Sequence, residues 1–345
     1  MSVRKALPWV LLAALAGFVA WKLHTSHFDW AGFGRSLRTA DWRMLLAALL
    51  VIYVNYVLRA VRWAVFLRRT PSTARWWQLV GSQFVGFTGL SLFGRIGELI
   101  RPLLVARRTG LSFASQIAVV AVERVFDLGA FGLLFGLNLA VSPGLDSLPF
   151  HERFHQVGYV IAGLTLIVAA FVVSVRVAGG VMARLMSGFV GIVSKNAGAS
   201  VAEKVHAFRE GLDVIAGWGD FASVAGISIV LWATIAVSYV LVMKAFPAPV
   251  SHLTVAHTLL LMGFSVVGSL VQLPGVGGGA QAMTIAALTL LFGIPQELAV
   301  SSGLMLWLIT TMGVIPVGLV YAKVEGISLE ALARRSEEAE EAVIG

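Results

Sequence analysis

From Phe221 to Met243 the chain runs without one charged residue. As a helix rising about 1.5 Å per residue, such a run is long enough to cross the roughly 30 Å hydrocarbon core of a bilayer. No other feature restricts the fold as much. In lipid every backbone amide must be satisfied internally, which leaves helices and closed barrels as spanning structures. Comparable runs recur along the chain, which is 58% hydrophobic and 13% charged, with a mean hydropathy of +0.86. Those values describe an integral membrane protein rather than a soluble domain. A formal net charge of +8 in a soluble chain would suggest a nucleic-acid partner. Here the basic residues mostly flank apolar runs, so membrane topology accounts for them and no nucleic acid is expected. The chain has no cysteine, which excludes disulfides and thiolate-based metal or redox sites.

The apolar runs give an order of crossings. Leu7–Leu23 follows Arg4 and Lys5 and reads as an uncleaved first helix, since no small-x-small cleavage site precedes the polar stretch His24–Arg43. Met44–Leu67 carries Arg59 and Arg62 near its end and is followed by Arg68, Arg69 and Arg75, a cluster expected on the cytoplasmic side. Trp76–Phe93 either crosses or turns back. A re-entrant hairpin, with Ile96–Ala106 as its short second arm, keeps Arg107 and Arg108 on the side of the other arginines. Ala114–Val141 crosses outward, Val157–Val175 returns, Val181–Trp218 reads as an amphipathic helix on the cytoplasmic surface, and Phe221–Met243 crosses outward again. His257–Leu273 is then broken by Pro274-Gly275-Val276-Gly277-Gly278-Gly279, and a second arm runs from Ala280 to Phe292. Such a break at membrane depth is tolerated only against protein or a water-filled cavity. Ala299–Tyr321 crosses inward.

The expected fold is therefore an all-α polytopic membrane protein. About six full transmembrane helices accompany two oppositely oriented re-entrant helical hairpins, near 76–108 and 257–293, in an inverted-repeat-like arrangement. One transmembrane domain covers 1–322, a charged tail covers 323–345, and both termini lie on the cytoplasmic side of the inner membrane. Broken helices meeting near the midplane are how transporters present backbone groups to a substrate.

Charged residues inside this apolar frame need a reason, because an ionised side chain at mid-bilayer costs at least about 2.5–3.5 kcal/mol. In GRIGELIRP, Arg95, Glu98 and Arg101 fall three residues apart, so Glu98 can touch both arginines on one helical face. Two readings stand: a buried ion-pair network that locks the hairpin, or a guanidinium pair that binds phosphate with Glu98 orienting it. Glu123, Arg124 and Asp127 lie inside the run Ala114–Val141, either as a span-to-hairpin salt bridge or as a relay for a proton or cation. The run PGVGGG lacks the Lys-Ser/Thr of a nucleotide loop. It reads instead as a tip whose amides, with Pro274, Gly275, Gly277, Gly278 and Gln281, face an anionic head group, Gln281 and Gln272 being placed to donate hydrogen bonds. The seven histidines show no metal-ligand spacing, and no metal or cofactor is expected.

Three ordered motifs carry a resemblance: RIGELIRPLLVARRTGLSF, VVAVERVFDL and LPGVGGGAQAMTIAALTLLFGIP. Together they resemble the membrane region of lysylphosphatidylglycerol synthase/flippase proteins and related stand-alone membrane proteins. Arg95, Gly97, Glu98 and Arg101 match the first motif, Glu123, Arg124 and Asp127 the second, and Leu273, Pro274, Gly275, Gly277 and Gly278 the third. Gln281 stands where the family often has a glutamate. The resemblance implies a polytopic fold and a lipid-translocating role. Only a short tail follows Tyr321, so lysyl transfer is not expected. The chain reads as a flippase for a lipid with an anionic phosphate-containing head group: a phospholipid, an aminoacylated phospholipid or a polyprenyl-phosphate-linked lipid. The alternatives are an intramembrane lipid-modifying transferase and a non-catalytic partner of a separate lipid synthase. Membrane lipids are the expected partners, and the oligomeric state is open.

Overall fold

The structure is a computed structural model that describes residues 28–72, 74–191, 217–273 and 277–328. The expected first crossing Leu7–Leu23, residues Pro274, Gly275 and Val276, and the tail beyond Ser328 lie outside the described residues.

The described chain is helical apart from one short ladder. It begins with α1 (Trp30–Thr39), inside the stretch expected to be merely polar. The helix is amphipathic and docks through a hydrogen bond of 2.8 Å between the Ser36 and Ser301 hydroxyls. α2 (Trp42–Phe66) starts where the Asp41 carboxylate accepts the Arg43 amide at 2.9 Å, which satisfies one of the amides every helix start leaves without a partner. After it come α3 (Trp76–Phe93), a 3₁₀ turn over Gly94–Leu99 and α4 (Ile100–Thr109). α5 (Phe113–Val141) is capped by the Ser112 hydroxyl, and α6 (His151–Gly191) follows. α7 (Trp218–Ala245) precedes α8 (Val255–Gly268), which is capped by Thr254. Strands β1 (Gln272–Leu273) and β2 (Gly277–Gly278) pair antiparallel, with Gln272 opposite Gly278 and Leu273 opposite Gly277. α9 (Gly279–Ala286) widens into a π-helical turn at Ala287–Leu291; α10 (Gln296–Trp307) does the same at Leu308–Met312 before α11 (Val314–Val324).

Among the described residues, four segments are long and apolar enough to cross a membrane: Trp42–Phe66, His151–Ser174, Trp218–Ala245 and Gln296–Val324. They coincide with four of the expected crossings. α5, with 29 residues, also matches an expected crossing in length but carries Glu123, Arg124 and Asp127 in its middle. The surface helix expected from Val181 does not begin as a separate element, because α6 is continuous through Gly191; the rest of that expected segment, 192–216, lies outside the described residues.

In the two regions expected to form hairpins, consecutive helices pack on each other. α3 and α4 close on each other where a Cβ on Gly97 would overlap the carbonyl of Gly89, and one on Gly86 would overlap Arg101. α8 and α9 close in the same way at Gly268 and Gly279. Between them the ladder turns the chain with Gly278 at φ +133, a conformation L side chains rarely adopt. The loosened turn at Leu308–Met312 also has a use, since π-helical geometry releases carbonyls from the helix ladder. Thr311 and Gly313 accept hydrogen bonds of 2.8 Å from Ser91 and Tyr53, which ties α10 and α11 to α3 and α2. Trp63, Phe66, Val242 and Met243, all fully shielded, lie in the core that joins α2 and α7.

Candidate functional site

The charges of α2 and α5 meet in the interior. Arg62 is wholly buried. Its Nη1 lies 2.5 Å from Asp127 Oδ1 and 2.7 Å from the Ser228 hydroxyl, and its Nη2 lies 2.6 Å from Glu123 Oε1. Glu123 and Asp127 are one helical turn apart, so both carboxylates face the same guanidinium. Arg101 from α4 reaches the other oxygen of Glu123 at 2.8 Å, its guanidinium carbon 4.6 Å from the ring centre of Trp63 and 5.1 Å from that of Phe87. Arg124 pairs with Glu98 of the 3₁₀ turn. Arg59 sits 3.9 Å from Asp127 Oδ2 and donates from Nε to Asn55 Oδ1 at 3.0 Å.

The pairing differs from the expected one. Glu98 does not bridge to Arg101; the expected helical turn is a 3₁₀ segment, and opposite charges on α5 capture each partner separately. The span-to-hairpin salt bridge, one of the two readings of Glu123 and Arg124, is thus present in the geometry. Arg95 lies by its backbone in the 3₁₀ turn; its side chain is outside what the structure describes. Arg59 and Arg62, expected to belong to the surface cluster with Arg68, Arg69 and Arg75, point inward. A charge in the last turns of a spanning helix is held inside when carboxylates on a neighbouring helix compensate it. Their sequence signal was the one noticed in GRIGELIRP: Asn55, Arg59 and Arg62 recur three or four residues apart within an apolar run.

Beside this cluster lies a cavity of about 490 Å³. The first hairpin contributes Phe87, Ser91 and Glu98 to its wall, and the second contributes Ser269, Ala280 and Gln281. Arg59 and Arg124 supply cationic groups, while Tyr56, Trp232, Tyr239 and Trp307 supply aromatic surface. Tyr239 donates to Ser265 at 2.9 Å, bracing α7 against α8. Arg101, Glu123 and Asp127 are not part of the lining; they form a layer behind it. At the second hairpin the expectation of open amides is corrected. Gln281 Oε1 accepts the Gly278 amide at 2.6 Å, and the Val271 carbonyl accepts that of Gly279 at 2.8 Å, so these two amides serve to close the tip. Among the described residues, no three His, Asp or Glu side chains are grouped to hold a metal ion.

The two hairpins, the buried charges and the glycine tip are the regions that carry the three motifs, and the comparison with known proteins agrees with them. The family model for the lysylphosphatidylglycerol synthase TM region matches residues 9–318. The chain belongs to that family. A UPF0104 membrane protein of Methanothermobacter thermautotrophicus is 25% identical over 324 residues, covering 83% of this chain and 87% of that protein. A relative named glycosyltransferase AglD, from Haloferax volcanii, is 26% identical over 256 residues, 68% of this chain. The match covers 41% of that relative, so the chain spans about two fifths of its length. The matched family region includes Arg59, Arg62, Glu123 and Asp127 as well as both hairpins.

Proposed function

We propose that this protein carries a lipid with an anionic, phosphate-containing head group across the cytoplasmic membrane. The observation that carries the reading is the cavity lined by both hairpins and by Arg59 and Arg124, in a molecule whose α6 presents Val160, Leu164 and Ile167 outward. The central obstacle to moving a lipid between leaflets is desolvation of its head group in hydrocarbon. A protein-lined polar chamber lowers that cost while the acyl chains stay in the bilayer. In this reading Arg124 and Gln281 contact the head group, Glu98 orients Arg124, and Arg101, Glu123 and Asp127 hold the chamber's floor. The role of Arg95 and of the Pro274-Gly275-Gly277-Gly278 tip is to complete the path between the hairpins. The six crossings with two oppositely inserted hairpins, and cytoplasmic termini, belong to the same proposal.

The test is transport of head-group-labelled lipids in proteoliposomes, run with phosphodiester, phosphomonoester and zwitterionic classes. The expected result is movement of an anionic phosphate lipid faster than in protein-free vesicles. No acceleration for any class by folded protein overturns the transport reading. A second reading, a membrane partner of a separate lipid-modifying enzyme, is favoured by the glycosyltransferase name of one relative. It predicts that transferase activity on a membrane lipid rises when such an enzyme is reconstituted with this protein, in the absence of lipid movement.

A further inference from the structure

We propose that Arg59 is the residue that contacts the lipid phosphate, and that the chamber accepts a head group with a single net negative charge. The inference rests on the reading of the cavity as a lipid head-group site and names the chemistry of that lipid.

Among the described side chains, four arginines, Arg59, Arg62, Arg101 and Arg124, face three carboxylates, Glu98, Glu123 and Asp127, with the Arg124–Glu98 pair at the exposed edge of the group. Each carboxylate is taken. Arg62 holds Asp127 at 2.5 Å and Glu123 at 2.6 Å, Arg101 holds Glu123 at 2.8 Å, and Arg124 holds Glu98. Arg59 is left with the weakest pairing, its nearest carboxylate oxygen being 3.9 Å away, outside hydrogen-bond distance. It is nevertheless firmly aimed. Its Nε is anchored on Asn55, which is itself locked by donating at 2.8 Å to the Leu231 carbonyl and to the Thr234 hydroxyl. Its guanidinium carbon lies 4.9 Å from the centre of the Phe87 ring. The side chain is 12% exposed and lines the cavity. The result is an oriented, largely desolvated guanidinium whose charge is not matched within the described cluster.

A desolvated cation of this kind attracts an anion more strongly than one in water, and the planar fork of arginine fits two phosphate oxygens. The Trp232 Nε1 donor, buried without a hydrogen-bond partner on a residue that also lines the chamber, is a second group able to turn toward such an oxygen. Arg101 is the poorer candidate because its guanidinium is closed between Glu123, Trp63 and Phe87. One surplus positive charge matches a phosphodiester; a phosphomonoester brings a second ionisable oxygen for which this cluster holds no further unmatched cation.

The test is equilibrium binding to the full chain in detergent, using dihexanoyl phosphatidylglycerol, phosphatidic acid and phosphatidylcholine as probes. Tryptophan fluorescence reports it, since Trp232 and Trp307 line the cavity. Phosphatidylglycerol is expected to bind about tenfold more tightly than phosphatidylcholine, whose phosphodiester is the same but whose choline cation adds a positive charge beside one already in surplus, and more tightly than phosphatidic acid. Arg59→Gln is expected to erase the preference over phosphatidylcholine without moving the melting temperature by more than a few degrees. If Arg59→Gln does not fold, Arg59→Lys decides, because it keeps the charge and loses the fork, so the preference must fall. Equal affinity for phosphatidylglycerol and phosphatidylcholine, tighter binding of phosphatidic acid, or an unchanged preference in a folded Arg59 variant overturns the proposal. Binding that depends on Arg59 in a protein that moves no lipid leaves this proposal standing and removes the transport reading; lipid movement unaffected by Arg59→Gln does the reverse.

Discussion

The residue that holds the interior together is Arg62. It bridges Glu123 and Asp127 and also reaches Ser228, so one guanidinium joins α2, α5 and α7. Removing a buried partner leaves uncompensated charge, typically worth about 3–5 kcal/mol, so Arg62→Ala is expected to be destabilised on that scale, since Asp127 keeps only Arg59 at 3.9 Å and Glu123 only Arg101. The check is the thermal midpoint and the monodisperse fraction in detergent; a variant as stable as the parent shows that the cluster is solvated and not structural. Arg101→Lys separates two roles. An ammonium keeps the charge near Glu123 but loses the flat contact with Trp63 and Phe87. A lower melting temperature is expected, with lipid movement per folded molecule retained; lost specific activity in a stable variant returns Arg101 to the substrate path.

At the scale of elements, each hairpin depends on glycines that let two backbones touch. A Cβ at Gly97 would run into the carbonyl of Gly89, whereas one at Gly129, on α5, meets nothing within 4 Å. Gly97→Ala is therefore expected to lower stability by several kcal/mol or to abolish folding, since backbone cannot give way as a flexible side chain can. Gly129→Ala is expected to be neutral or, by its better helix propensity, stabilising by up to about 1 kcal/mol. Melting curves of the pair check this, and equal effects contradict the hairpin packing. The places where α3 meets α4 and α8 meets α9 were legible in the sequence because glycines and charges interrupt the apolar stretches there. Their internal pairing was not, since Glu98 and Arg101 share a turn yet bind different residues of α5. α1 was missed because its apolar face is short and Gly32, Gly34, Arg35 and Arg38 dilute its pattern; docking on α10 buries only Ser36.

For the whole molecule, the arrangement of crossings yields the sharpest test. With no native cysteine, single cysteines at Arg107 and Ser147 can be labelled cleanly by an impermeant thiol reagent. The two positions flank α5, so they are expected to react from opposite sides of the membrane. Reaction from one side shows that α5 does not cross, and the opposed hairpins then fail as a description of the protein.

The sequence by itself determined that the chain is a membrane protein, where most of its segments long and apolar enough to cross lie, and which family its motifs resemble. These properties follow from hydropathy, glycine placement and local charge, all of which act over one or two helical turns. Only the tertiary structure decided which charge meets which. Arg62 and Asp127 are 65 positions apart in the chain, and Arg101 and Glu123 are 22 apart. The spacing of Asn55, Arg59 and Arg62 within an apolar run sets them apart from Arg68 and Arg75, but names no partner for them. Helix packing turns them inward, because an ionised group away from water is tolerated only where other elements bring its counter-charge.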